Sequence, residues 1–235
     1  AGALTPDQRR ARLAGLRWPA GFTGEWAGGA AQTGVAANEI VRGPADRPRV
    51  ALTFDGNWED GPVPELLQIL AARGLQATFF VTGDFCRRFP GAIRAVAEGG
   101  HEVANHSMTH PAFTKLSDAG VLAELEKAER EIVALAGDAY RPYWRPPFGD
   151  RDTRVLRLAI KNGFIPIYWT ADTLDWQKQA TAASVLQRLT KLGLKPGAII
   201  LQHIGSGPTL EALPGELDLL AEHGLQPGSL GQLFG

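Results

Sequence analysis

Apolar residues along this chain gather in short runs at 50–54, 77–81, 102–105, 143–145, 165–169 and 198–202, and between those runs they recur every three or four positions. Short runs bounded by turn residues read as buried strands, and the longer period reads as amphipathic helix. The helical stretches cover 63–73, 92–98, 119–135, 153–162, 183–192 and 210–223, and Gly74, Gly99-Gly100, Gly137, Gly163, Gly193 and Gly224 each close one of them. A glycine just past a helix end can take the left-handed conformation that stops it. Strand and helix alternating in this way predict an α/β fold with parallel strands and right-handed crossovers, either an open doubly wound sheet or a barrel. Polar residues cluster just after several different strands, which favours a distorted parallel (β/α) barrel of seven or eight strands forming a single domain.

Ahead of this repeat, Thr5-Pro6-Asp7-Gln8 has the spacing of a capping box, with proline at the first helical position. A helix is expected over 5–16, packed outside the main domain. The stretch after it, to about residue 38, is rich in Gly, Ala and Thr and reads as an irregular connection. The chain therefore divides into an extension at 1–39 and a domain at 40–235.

Composition narrows the function. The 235 residues, 44% hydrophobic and 21% charged, suit one ordinary globular domain with a substantial core. A formal net charge of -1 and the lack of any basic run give no long-range attraction for nucleic acid or anionic membranes, so a neutral substrate is favoured. No apolar stretch is long enough to span a bilayer. The single Cys86 excludes an intrachain disulfide and argues against a thiolate metal site; a packed helix face is its expected place.

Asp55, His106, Arg145, Asp172 with Asp175, and His203 all follow strand ends. In a parallel α/β fold those ends meet on one face, so one pocket can hold all of them. His106 and His110 lie four apart; on one helical turn both imidazoles would share a face and could bind one metal ion, with Asn105 placed to hold a ring and Pro111 ending the turn. Asp55 precedes the turn-prone Gly56-Asn57, which exposes its carboxylate, although an aspartate there can also be an ordinary turn or cap residue. Arg145, stiffened by Trp144 and the Pro146-Pro147 pair, can hold a buried carboxylate ionised. Asp172 or Asp175 could orient an imidazole, Trp176 could wall a pocket or stack on a sugar, and His203 is a general-acid candidate. His101 and His223 read as structural or surface residues.

Taken in order, these segments resemble the five motifs of the polysaccharide deacetylases of carbohydrate esterase family four, over about residues 50 to 205. The family's Thr-Phe-Asp-Asp is matched by Thr53-Phe54-Asp55-Gly56, its His-Ser/Thr-x-x-His by His106 to His110, and its Arg-x-Pro-Tyr/Phe-Gly by Arg145 to Gly149. Asp172 to Trp176 and Leu201-Gln202-His203 are similar to the fourth and fifth. The resemblance implies that Asp55 is the base and a possible further metal ligand. It implies that His106 and His110 bind a divalent ion, zinc first, with cobalt, nickel or manganese as alternatives. Arg145 would hold Asp55 charged, the backbone amide of Phe148 would stabilise the oxyanion, and Asp175 would tune the general acid His203. Trp176 and Leu201 would line the acetyl pocket.

One position departs from the pattern. The family's second aspartate, a metal ligand there, is Gly56 here, and Asn57, Glu59, Asp60 or a water are the candidates to replace it. A two-histidine site is expected to hold its ion more loosely. Substitution at this aspartate is similar to the branch acting on N-acetylmuramic acid in peptidoglycan. The leading expectation is a metal-dependent hydrolase that removes acetyl from an N-acetylated glycan, peptidoglycan or chitin-like, monomeric and extracytoplasmic. The competing readings are a carbohydrate-binding module that has lost catalysis, with Trp58 and Trp176 as stacking surfaces, and a deacetylase of small amides.

Overall fold

The computed structural model describes residues 2–19, 22, 39–57, 61 and 63–235. The apolar runs become parallel strands because both of their faces are covered, the condition under which a strand reads as continuously hydrophobic. Strand β1 (Arg49–Gly56) is buried along its whole length except for Arg49. Its Val50, Leu52 and Phe54 pack under the surrounding helices, while Ala51 faces the interior of the curled sheet together with Phe80, Ala104, Tyr143, Ile165 and Ile199. Each of the larger side chains contributes about 1.5–3 kcal/mol by leaving water.

The other strands are β2 (Thr78–Val81), β3 (Glu102–Asn105), β4 (Tyr140–Trp144), β5 (Ile165–Pro166), β6 (Ala171–Asp172), β7 (Ile199–His203) and β8 (Gln226–Gly228). They form one eight-stranded sheet in the order β5-β4-β3-β2-β1-β7-β6, with β8 paired to the start of β1. Every pairing is parallel, so the expected (β/α) barrel is present as a curled sheet whose two end strands, β5 and β6, are not bonded to one another. Ile40 spans part of that opening: its amide donates to Pro166 O (2.9 Å) and its carbonyl accepts from the Tyr168 amide (2.8 Å).

The helices are α1 (Pro6–Ala11), α2 (Val63–Ala72), α3 (Gly83–Arg88), α4 (Pro90–Glu98), α5 (Asp118–Ala136), α6 (Thr153–Lys161), α7 (Ala182–Leu192), α8 (Gly207–Glu222) and α9 (Leu230–Phe234). The glycines expected to end them do so with positive φ, for example 79° at Gly163 and 58° at Gly193. Cys86 is buried on α3, an element the hydrophobic period did not reveal, which starts at Thr82 accepting from the Phe85 amide at 3.0 Å. No helix among the described residues is long and apolar enough to cross a membrane.

Three local expectations change. The run at 165–169 is not one strand: Ile167 N still donates to Trp144 O, but by Thr170 the amide donates to Ile199 O, so the chain passes from β4 to β7 and forms two short strands. Strand β8 and helix α9 went unread because Pro227 interrupts so short a strand and α9 is one turn long. The helix near the N-terminus forms with the expected capping box, but it is seated on the domain rather than apart from it. Arg9 is 1% exposed, its guanidinium gripping Glu129 of α5 through two bonds of 2.7 and 2.8 Å and lying 4.1 Å over the Phe164 ring. The connection expected up to residue 38 lies, over 23–38, outside the described residues.

Candidate active site

Strand register builds the site. Asp55 stands opposite His203 across the β1–β7 pair, and Asn105 at the end of β3 is level with Trp144 of β4, so the residues after β1, β3, β4 and β7 meet at one end of the sheet. There a cleft of about 810 Å³ is lined by Asp55, Asn57, His106, His110, Phe148, Asp175, Trp176, Leu201 and His203 among others. Among the described residues, every site residue expected from the sequence lines this cleft except Arg145, which is fully buried behind it.

The Arg145 guanidinium donates to Asp55 Oδ1 (2.7 Å) and Thr53 Oγ1 (2.9 Å) and lies 4.2 Å over the Phe80 ring. Thr53 in turn donates to Ile200 O, so β1, β4 and β7 are tied together beneath the carboxylate. Thr53 sits inside the first motif, yet only the structure shows that its hydroxyl aims at Arg145. Asp55 Oδ2 is left 3.6 Å from His106 Nε2.

His106 and His110 do converge, but not on a helical turn. Residues 106–112 are irregular, with Ser107 at φ 75° and His110 at φ 62°. Non-glycine residues adopt this region only when their surroundings hold them there. Asn105 Oδ1 accepts from the Ser107 amide (2.8 Å), Ser107 Oγ accepts from the His110 amide (2.9 Å), and Asn105 Nδ2 donates to Leu125 O (2.8 Å). Asn105 thus holds the turn and not a ring. The ring of His106 is fixed instead by the Arg145 carbonyl, 2.9 Å from its Nδ1, which makes Nδ1 the donor and turns the Nε2 lone pair to the cleft.

Burial lowers the pKa of His106 and takes that of His110 down to about 3, the neighbouring His106 adding to the effect, so both imidazoles are neutral at physiological pH. The two Nε2 atoms are 3.2 Å apart. Two nitrogens each about 2.0–2.1 Å from a tetrahedral ion lie roughly 3.3 Å apart, so the pair fits the span of one divalent cation. The third donor is less evident: among the described residues no cluster of three or more His, Cys, Asp or Glu side chains is arranged to hold a metal.

On the far side, Asp175 Oδ2 accepts from the His203 amide (2.8 Å) and from Thr209 Oγ1, while its Oδ1 pairs with His203 Nδ1 (2.8 Å). Burial alone would lower the His203 pKa, but the bond to Asp175 and its charge carry it above the ordinary histidine value. Asp175 shifts the opposite way: burial raises it, and the bond to and charge of His203 bring it below the usual aspartate value. Glu216 of α8, also buried, is pushed up to about 8 by desolvation and by Asp175, so it adds no charge beside this pair at neutral pH. Thr209 and Glu216 follow the last motif and escaped the sequence reading; the Ser-Gly-Pro-Thr helix start was the available signal for Thr209. Asp172 does not orient an imidazole. Its Oδ1 accepts from the Leu174 amide (2.8 Å) and Trp176 Nε1 (3.3 Å), shaping the loop that presents Trp176.

The polysaccharide deacetylase family pattern matches residues 42–167, more than half of the chain. The chain belongs to this family. Similar members include the YlxY protein of Bacillus subtilis, 32% identical over 83% of this chain and 60% of its own length. A peptidoglycan-N-acetylglucosamine deacetylase of Bacillus cereus is 33% identical over 75% of this chain and 63% of its own. The chain thus spans somewhat under two thirds of these two relatives. Among solved structures, a CE4 family pseudoenzyme of Bacillus anthracis superposes with a TM-score of 0.79 at 32% identity, covering 84% of this chain and 69% of that one. A mutant of the same protein is described as having restored enzymatic activity.

Within the polysaccharide deacetylase fold the departure at Gly56 is filled by packing. A Cβ at that position would lie 2.7 Å from Ile204 Cδ1 and 3.4 Å from Phe85 Cε2. Glu59, Asp60 and Trp58 lie outside the described residues, while Asn57 is in place, its Nδ2 3.2 Å from His110 Nε2.

Proposed function

We propose that the chain is a metal-dependent deacetylase that hydrolyses the N-acetyl group of an amino sugar in a glycan, with peptidoglycan the leading substrate. The observation that carries this reading is one cleft holding a carboxylate beside a neutral imidazole pair on one wall and an imidazole tuned by Asp175 on the other. A proton acceptor and a proton donor on opposite sides of a bound amide are what its hydrolysis requires. Membership of the family and the named activity of the Bacillus cereus relative support it.

His106 and His110 would hold the ion, with zinc the leading choice. When bound, it lowers the pKa of water towards about 7 and polarises the amide carbonyl. Asp55, positioned by Arg145, takes a proton from the attacking water. The amide of Phe148, presented by a turn with φ 58°, is offered to the oxyanion that forms. His203 carries its proton on Nε2, since Nδ1 is committed to Asp175, and delivers it to the departing sugar nitrogen. Leu201, 4% exposed, and Trp176, 58% exposed, give the acetyl group an apolar floor and the sugar a face to stack on. An extracytoplasmic location follows if the substrate is cell-wall glycan.

The test is acetate release from peptidoglycan and from N-acetylglucosamine oligomers, assayed in parallel with muramyl substrates to identify the sugar. Release by the parent protein, lost on His106→Ala, is the expected result; release that survives both that change and a chelator would sink the reading. The alkaline limb of kcat/KM is expected above pH 6.5, because His203 keeps its proton longer than a free histidine. Asp175→Asn removes the charge that favours the imidazolium, so it should move that limb towards acid pH; an unmoved limb would show that another group is the acid.

A second reading, a glycan-binding module without turnover, is favoured by Gly56 together with the likeness to the Bacillus anthracis pseudoenzyme. Any measured turnover lost on His106→Ala excludes it.

A further inference from the structure

Two imidazoles are a small donor set for a hydrolytic ion, which ordinarily has three protein ligands and one open position. At Gly56 there is neither a side chain nor a hollow, because the δ-methyl of Ile204, itself 8% exposed, stands where a side chain would begin. The next residue is Asn57. Its terminal amide reaches His110 Nε2 at 3.2 Å, the same separation as between the two imidazole nitrogens, so His110 Nε2 stands within hydrogen-bond distance of both His106 Nε2 and the Asn57 amide. Asp55 Oδ2 is 3.6 Å from the same cluster, but its other oxygen is held by Arg145.

Resting on the metal reading above, we propose that Asn57 is the third protein ligand, donating through Oδ1, and that it stands in for a side chain at position 56. A half-turn of the terminal amide exchanges Nδ2 for Oδ1 without altering the shape of the side chain, and the carbonyl oxygen then stands beside His110 Nε2, whose other neighbour is His106 Nε2. A neutral amide oxygen binds a divalent ion less strongly than a carboxylate does, so the site is a weaker but complete one.

The test is the affinity of the purified chain for Zn2+, measured by competition with a chromophoric chelator, with the visible absorption of the Co2+-loaded protein as the coordination signature. Urea midpoints of the metal-free variants serve as the folding control. Asn57→Ala is expected to weaken Zn2+ binding by about tenfold or more and to change the Co2+ spectrum. Asn57→Asp discriminates between roles: it offers a charged oxygen but no N–H. Binding at least as tight as the parent is expected if Asn57 is an oxygen ligand, and weaker binding if its purpose is only to donate a hydrogen bond to His110. His106→Ala should abolish binding. Should Asn57→Ala bind as tightly as the parent while His106→Ala does not, or should Asn57→Asp weaken binding, this inference falls and the two-histidine site stands. Failure of the parent itself to take up Zn2+ or Co2+ would overturn both.

Discussion

Asp55→Asn should reduce acetate release by a factor of about 10²–10⁴ or more, the usual contribution of a positioned general base, and should also destabilise the fold. The substitution keeps the shape and an oxygen facing Arg145, so the loss comes from charge. Arg145 is fully buried, and its remaining contacts, Thr53 Oγ1, the Tyr168 carbonyl and the ring of Phe80, orient it without neutralising it. Breaking a buried ion pair from one side typically costs about 3–5 kcal/mol, because the survivor is left charged in a poorly polarisable place. Urea unfolding and steady-state kinetics on the same preparation separate the two effects. Activity above a tenth of the parent's would remove Asp55 from the role of base; unchanged stability would mean that solvent reaches Arg145 when its partner is lost.

The second large effect lies far from the cleft. Arg9→Ala leaves Glu129, itself fully buried, holding a charge against the Leu4 amide (2.8 Å) and the Tyr140 hydroxyl (2.9 Å) as its remaining polar partners among the described residues. A loss of about 3–5 kcal/mol is again expected. For a domain of this size each kcal/mol moves the melting temperature by roughly 2–4 °C, so a fall on the order of 10 °C should appear in a thermal melt. Arg9→Met with Glu129→Gln removes both charges together and should recover a substantial part of the loss, since a well-packed neutral pair avoids the stranded carboxylate. A melt unaffected by Arg9→Ala would show that α1 contributes little to holding α5 and the end of α6 together.

How far the sequence revealed this protein depended on where the deciding contacts lie. Parallel strands covered on both faces leave continuous apolar runs, so β1, β2, β3 and β7 could be read directly, and the convergence of Asp55 with His203 followed from the parallel topology. Two-residue strands leave no such trace. The split between β5 and β6 depends on which neighbour accepts from the amides of Ile167 and Thr170, a choice made across the sheet. The two histidines were found by spacing, but the assumption of a helical turn failed because Asn105 and Ser107 stabilise a left-handed backbone that no local propensity favours. Arg9 reads as a surface charge in its own segment; only Glu129, some 120 residues away, makes it a core residue. The absence of an aspartate at position 56 was plain, whereas the occupation of its space by Ile204 was not.

The end of the sheet opposite the cleft has its own anchors. Helix α9 caps the strand starts, with the Leu230 amide on Thr78, the Gly231 amide on Glu102, and Leu230, Leu233 and Phe234 filling the interior beside β1. These anchors lie at the pole away from the reacting groups, where the Asp55–Arg145 pair is the structural tie that the chemistry shares. Rim side chains that carry no buried ion pair can therefore be exchanged without disturbing the anchored pole, and the likeness to a Bacillus anthracis pseudoenzyme, a mutant of which is described as having restored enzymatic activity, shows how short the step between inert and reactive rims can be.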